Sequence, residues 1–180
     1  RKKKQKMAAV AQSSPPNIGK TAQDLSEIID RSQSFCLNQD STHPMENLFM
    51  GDERLFLQSD TDEQLIVSMT FKDTINLEFI SFVAPLDEHA PLTVKLFANG
   101  NNLSFENCED MQPTQEFQLT PADLTPDSMT KLYAVKFQRL NTLTIFIEDS
   151  NGADVTQLSS LKFFGTTVIG TNMAEFKKVG

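Results

Sequence analysis

Tryptophan is missing from this 180-residue chain, tyrosine occurs once (Tyr133), and cysteine and histidine occur twice each. Each scarcity closes something off. Without Trp, and with one Tyr against fourteen Phe, Phe must do most of the aromatic packing, and an aromatic platform for stacking sugar rings is poorly supplied. Cys36 and Cys108 are far apart and form no C-x-x-C, which argues against thiol redox chemistry and a Cys-based zinc site and for a reducing compartment. His43 lies before a proline in "DSTHPMEN" and His89 in the acidic turn "PLDEHAPL"; neither has a partner at ligand spacing, so both read as exposed loop residues. No apolar run approaches the roughly 18 residues of a membrane-crossing helix, and no apolar segment of the kind a secretory signal needs follows the basic start. There is no G-x-S-x-G, no P-loop and no G-x-G-x-x-G.

What is present is charge, unevenly spread. The net charge is −8, yet residues 1–20, "RKKKQKMAAVAQSSPPNIGK", hold six basic side chains and no acid, leaving −14 on the remainder. An acidic body repels nucleic acid and anionic membrane and suits a basic protein surface. The first twenty residues, with their basic run, Ser-Ser and Pro-Pro, cannot bury a core and read as a disordered leader or linker; "RKKKQK" also fits a weak nuclear-import motif. The chain opens on Arg, which reads as a fragment of something longer.

From residue 21 the pattern is globular. Thr21-Ala22-Gln23-Asp24 approximates a capping box with Leu25, Ile28 and Ile29 at helical spacing, predicting a short helix over residues 21–30. Strand alternation then takes over. Leu65, Val67, Met69 and Phe71 share one face. Ile75, Leu77, Phe79 and Ser81 alternate with Asn76, Glu78, Ile80 and Phe82, and further runs are centred on Val94, Phe117, Val135, Ile145 and Phe163. Turns rich in Asn, Gly, Pro and Asp separate them, with no helix expected between successive strands. The pattern predicts one all-β domain, an antiparallel β-sandwich or barrel, over residues 21–180.

The densest chemistry is "SDTDEQL" at residues 59–65, three carboxylates just ahead of a strand. It has the D-x-D of a calcium loop but lacks the following Gly and the closing Glu. Asp60 and Asp62 also fail as a hydrolytic pair, being crowded together in what reads as a solvated turn. Cys108, flanked by Glu106, Glu109 and Asp110, is expected to have a raised pKa and blunted reactivity. The residues alone thus point to a binding module rather than an enzyme, with no cofactor and no metal.

Four strings taken in order, "CLNQDSTHPMEN" at 36–47, "LQSDTDEQLIVSMTF" at 57–71, "YAVKFQRLNTLTIFIEDSNGADVTQLSSLKFFGT" at 133–166 and "TNMAEFKKV" at 171–179, resemble the PITH domain, the C-terminal, proteasome-interacting domain of thioredoxin-like proteins. The resemblance implies a jelly-roll-like sandwich related to galactose-binding domains, which docks on the regulatory particle of the 26S proteasome; a monomer located in cytoplasm and nucleus is expected. The redox-active thioredoxin domain that precedes it in such proteins, with its C-G-P-C, is not in this sequence. Ser59 or Asp60 is expected to fix the acidic turn through backbone N–H bonds. Asp60, Asp62 and Glu63 are candidate contacts for a basic partner surface, Asp62 and Glu63 pointing outward. Met173, Phe176, Lys177 and Lys178 are the second candidate contact, on a C-terminal segment that either straps onto the sandwich or reaches into a partner. A carbohydrate- or small-ligand-binding sandwich is the competing reading.

Overall fold

The computed structural model describes residues 22–168. Among these residues ten strands follow one another: β1 Gln23–Asp24, β2 Phe35–Leu37, β3 Leu57–Gln58, β4 Leu65–Val83, β5 Thr93–Ala98, β6 Gln115–Gln118, β7 Thr130–Lys131, β8 Leu140–Ile147, β9 Gln157–Leu158 and β10 Ser160–Thr167. One helix, α1 Phe105–Asp110, lies between β5 and β6. Every described pairing is antiparallel, and the fold is the antiparallel β-sandwich that the alternation predicted, in the jelly-roll-like form that the resemblance implied.

The organising element is β4, 19 residues without Gly or Pro. Its first half lies between β8 and β2, its second between β10 and β7. The exposed pair Lys72-Asp73 marks the change of partners. Leu65, Val67, Met69 and Phe71 all enter the main core, as alternation requires. The second half departs from the expected phase. Ile75 and Leu77 point inward, but so do Ile80 and Phe82. The register explains this: Phe164 pairs with Phe79 while the next residue, Gly165, pairs with Leu77. Glu78 is therefore an extra residue, a β-bulge, and one extra residue inverts which side chains face the core. The bulge brings backbones so close that a Cβ on Gly165 would collide with the Asn76 carbonyl oxygen.

The predicted helix over 21–30 does not form in its described part. Gln23 and Asp24 pair with β10, and only a single 3-10 turn, Ser26–Ile28, follows. Leu25 donates its N–H to Phe163 O, and the side chains of Leu25 and Ile29 are both buried. Asp24 serves as a turn residue instead, its carboxylate accepting the Ser26 N–H at 2.8 Å. Sheet pairing plus two buried aliphatics, each contributing roughly 1.5–3 kcal/mol, outweighs a helical preference of a few tenths per residue.

Two further expectations change. The run around Val135 is a 3-10 turn, Ala134–Phe137, not a strand. α1 was not anticipated; Ser104 and Asn107 form a capping box at its start. It covers the outer face of the sheet, where Cys108 closes over Ile66, Phe97 and Phe146 as a second, smaller core. Cys36 packs against the main core on the other side of the sheet, and both thiols are free.

Candidate docking surface

The acidic turn leaves β3 at Ser59 and enters β4 at Leu65, and neighbours hold it from both sides. Asn38, just after β2, adopts a left-handed conformation (φ 70°) that Asn tolerates better than most residues. From there its side chain reaches across the turn. Its Nδ2 donates to Gln64 O at 2.7 Å and to Asp62 Oδ1 at 2.9 Å. Its Oδ1 accepts from Thr61 N–H at 3.1 Å and from the Thr61 hydroxyl at 2.9 Å, and its backbone carbonyl accepts the Asp60 N–H. From the other side, Thr156 N–H donates to Ser59 Oγ at 2.9 Å, Ser59 N–H to Thr156 O at 3.0 Å, and the Thr156 hydroxyl to Glu63 O at 2.6 Å. Ser59 and Thr156 are wholly buried.

Of the two residues expected to fix the turn, Ser59 does so and Asp60 does not: the Asp60 carboxylate is exposed and bonds to no described residue. The local acceptor is Asp62, whose Oδ1 takes the Gln64 N–H at 3.0 Å in an Asx turn. Asp62 is nonetheless exposed, and Glu63 half-buried. The hub Asn38 was not singled out from sequence, although "CLNQD" contains it; the usable signal was an Asn directly after a short strand run. The turn's negative surface continues onto α1, because Gln64 Nε2 donates to Glu109 Oε2 at 3.1 Å, beside exposed Glu106 and Asp110. Met173, Phe176, Lys177 and Lys178 lie outside the described residues, as do the leader and Thr21.

Among the described residues no three His, Cys, Asp or Glu side chains are grouped so as to hold a metal ion. His43 stacks on Phe56 at 4.5 Å, and His89 Nδ1 sits 3.2 Å from Asp87; both are half-buried, rather than fully exposed, and remote from each other in the chain. Burial pushes the Cys36 thiol up to about 12, with the Glu46 charge adding to it. Burial likewise raises Cys108 to about 11, where Lys95 opposes the shift and Glu109 adds to it. Of the three flanking acids only Glu109 acts on Cys108, in the expected direction but less than Lys95 opposes it, and desolvation is the dominant cause. Neither thiol is ionised near neutrality, so neither is poised as a nucleophile.

A concavity of about 470 Å³ runs over the outer face of the sheet between Ser32–Phe35 and Gly100–Asn102, floored by Ser68, Thr70 and Thr142. Its lining is neutral, hydroxyls and amides with one aromatic edge from Phe35.

Antiparallel topology, a strand shared by both halves and loops carrying the exposed chemistry define a galactose-binding-like β-sandwich. Solved structures agree on the fold. The family 32 CBM of Clostridium perfringens NanJ in complex with galactose superposes with a TM-score of 0.56 at 9% identity, over 79% of this chain and 98% of that one. The C-terminal domain of a chitobiase from Bacteroides fragilis gives 0.58 at 13% identity, over 81% and 99%. The family is narrower: a model of the PITH domain matches residues 15–180, and the chain belongs to the PITH domain family. It is 36% identical to Thioredoxin-like protein 1 of Schizosaccharomyces pombe, over 84% of this chain and 54% of that protein. It is 28% identical to the human PITH domain-containing protein 1, over 83% and 72%. The chain thus spans about half the length of its fission-yeast relative.

Proposed function

We propose that this chain is a non-catalytic docking module for the regulatory particle of the 26S proteasome, working in cytoplasm and nucleus as the C-terminal part of a thioredoxin-like protein. Family membership over residues 15–180 carries the reading. The partial span of the Thioredoxin-like protein 1 relative supports the tethered arrangement. A hydrogen-bonded, immobilised turn bearing Asp60, Asp62 and Glu63 beside the acids of α1 supplies a preformed negative surface, which costs little ordering entropy on binding. The test is direct binding of the purified 180-residue chain to purified 26S proteasome at low and physiological salt. Saturable binding weakened by salt is the expected result; absence of binding at both salts removes the reading.

A second reading rests on the neutral trough. Its volume is within the range of small-ligand sites, and the Ser68 hydroxyl on its floor is buried yet bonds to no described group. A polyhydroxylated ligand would meet that lining. Binding to a glycan array, abolished by Ser68→Ala, supports it; a silent array removes it.

A further inference from the structure

Residues 131–139 are chemically unlike the rest of the body. No acid occurs between Asp127 and Glu148, whereas Lys131, Lys136 and Arg139 fall close together. All three are exposed, and none forms an ion pair with a described acid. Between them stand the two most conspicuous apolar side chains of this stretch, Tyr133 at 59% and Val135 at 81% exposure. They are held out by construction. Leu132 and Phe137 are buried on either side and pin the segment. Leu132 N–H donates to Glu78 O at 2.9 Å, Tyr133 N–H to Gln115 Oε1 at 2.9 Å, and Lys136 N–H to Tyr133 O at 2.8 Å. Arg139, in a left-handed conformation (φ 53°), donates its N–H to Asn76 Oδ1 at 2.9 Å. The Lys136 ammonium lies 5.5 Å from the Tyr133 ring centroid, so cation and aromatic share one surface.

We propose that this turn is a docking surface for a short acidic segment of a partner protein that carries an aliphatic residue. An apolar centre ringed by cations is how protein interfaces combine contact area with register, and Tyr and Arg are frequent anchors there. Cations without internal counter-ions attract acids, while the negative body around them repels nucleic acid. The surface deepens the docking reading and rests on it only for the partner's identity.

The chain carries its own reporter, since Tyr133 is its only tyrosine and Trp is absent. The 180-residue chain is titrated with a peptide alternating Asp/Glu with Leu, with an equally long Lys/Leu peptide, and with single-stranded oligo-dT, following Tyr133 emission and the anisotropy of labelled probes. A saturable response to the acidic peptide alone is expected, several-fold weaker at physiological than at low salt. It should fall at least tenfold in K131E/K136E/R139E and several-fold in Val135→Ser, with thermal melts showing that both variants fold. The proposal is overturned if the acidic peptide gives no saturable response, if the Lys/Leu peptide or oligo-dT binds as well, or if the triple variant binds like the parent. A proteasome arm separates the two readings. Binding of the parent and the triple variant alike to 26S proteasome keeps the docking reading and overturns this surface as the place where the proteasome docks. Peptide binding without proteasome binding supports the surface and removes the docking reading.

Discussion

Two exposed turns of opposite charge invite comparison. Residues 59–64 are acidic and residues 131–139 basic, and both are anchored to neighbouring elements, but in different ways. The acidic turn uses polar side chains as its scaffold: Asn38 and Thr156 take up its backbone groups, Ser59 is buried, and even Asp62 is partly spent holding Gln64. The basic turn is pinned by Leu132 and Phe137 and by bonds from its own backbone N–H groups. All its charged side chains, with Tyr133 and Val135, are left to solvent. A dense cluster of charge in sequence therefore does not mark the freest surface. What matters is which groups the local scaffold consumes.

The strongest way to break the contrast is to remove an apolar pin. Phe137 is wholly buried, so Phe137→Ala should cost about 3–5 kcal/mol, read by urea denaturation, and should blur the environment of Tyr133. A loss below about 1 kcal/mol would show that the basic turn does not depend on its pin. Asn38→Ala attacks the acidic turn's hub. It strands the Thr61 and Gln64 backbone groups and places Ala at φ 70°, so about 2 kcal/mol or more is expected. Asn38→Gly relieves the backbone strain but not the lost bonds, and should fall between Ala and the parent. If Gly matches the parent, the side-chain bonds are not the scaffold.

These two turns also show what the sequence could and could not reveal. The sandwich was legible because Leu65, Val67 and Met69, and Leu143, Ile145 and Ile147, recur at the two-residue period that sends one face of a strand into a core. The inward turn of both Leu77 and Ile80 was not, because a bulge depends on how close another strand approaches, here at Gly165. Tyr133, Val135 and Phe137 alternate as a strand would, yet only Phe137 is buried; the period was real and the backbone was a 3-10 turn. At the acidic turn the residue types were legible and their duties were not. Asp60 and Asp62 differ by position alone; a local bond from the Gln64 N–H and the placement of Asn38, over twenty residues away in sequence, together engage the Asp62 carboxylate.

Alkaline pH tests the acidic side by another route. Cys36 lies in β2, two residues ahead of Asn38, and its folded value near 12 stands above the 9.0 of an unperturbed thiol. A group whose pKa is raised by folding stabilises fully below the unfolded value and ceases to as pH climbs through the folded one. Stability should therefore hold to about pH 9 and then decline by up to about 1.4 kcal/mol per pH unit towards pH 12. Cys36→Ala should flatten that limb in urea titrations at successive pH values, and an unchanged slope would remove the buried thiol as its cause.

The smallest expected effect separates Asp60 from Asp62. Asp62→Ala removes the acceptor of the Gln64 N–H and a partner of Asn38 Nδ2. The turn is exposed, so water replaces part of what is lost, and a cost of about 0.5–1.5 kcal/mol follows. Asp60→Ala removes a carboxylate bonded to no described residue, and should lie within about 0.5 kcal/mol of the parent. In proteasome binding the order need not follow: both remove one negative charge from the same surface, so both should weaken binding and shallow its salt dependence to a similar extent. Thermal melts and salt-series binding on the same two proteins therefore read the scaffold and the surface separately. Equal stability loss for the two variants would undo the division of labour between them. Unchanged binding for both would move docking away from the acidic turn and leave the basic one as the surface to pursue.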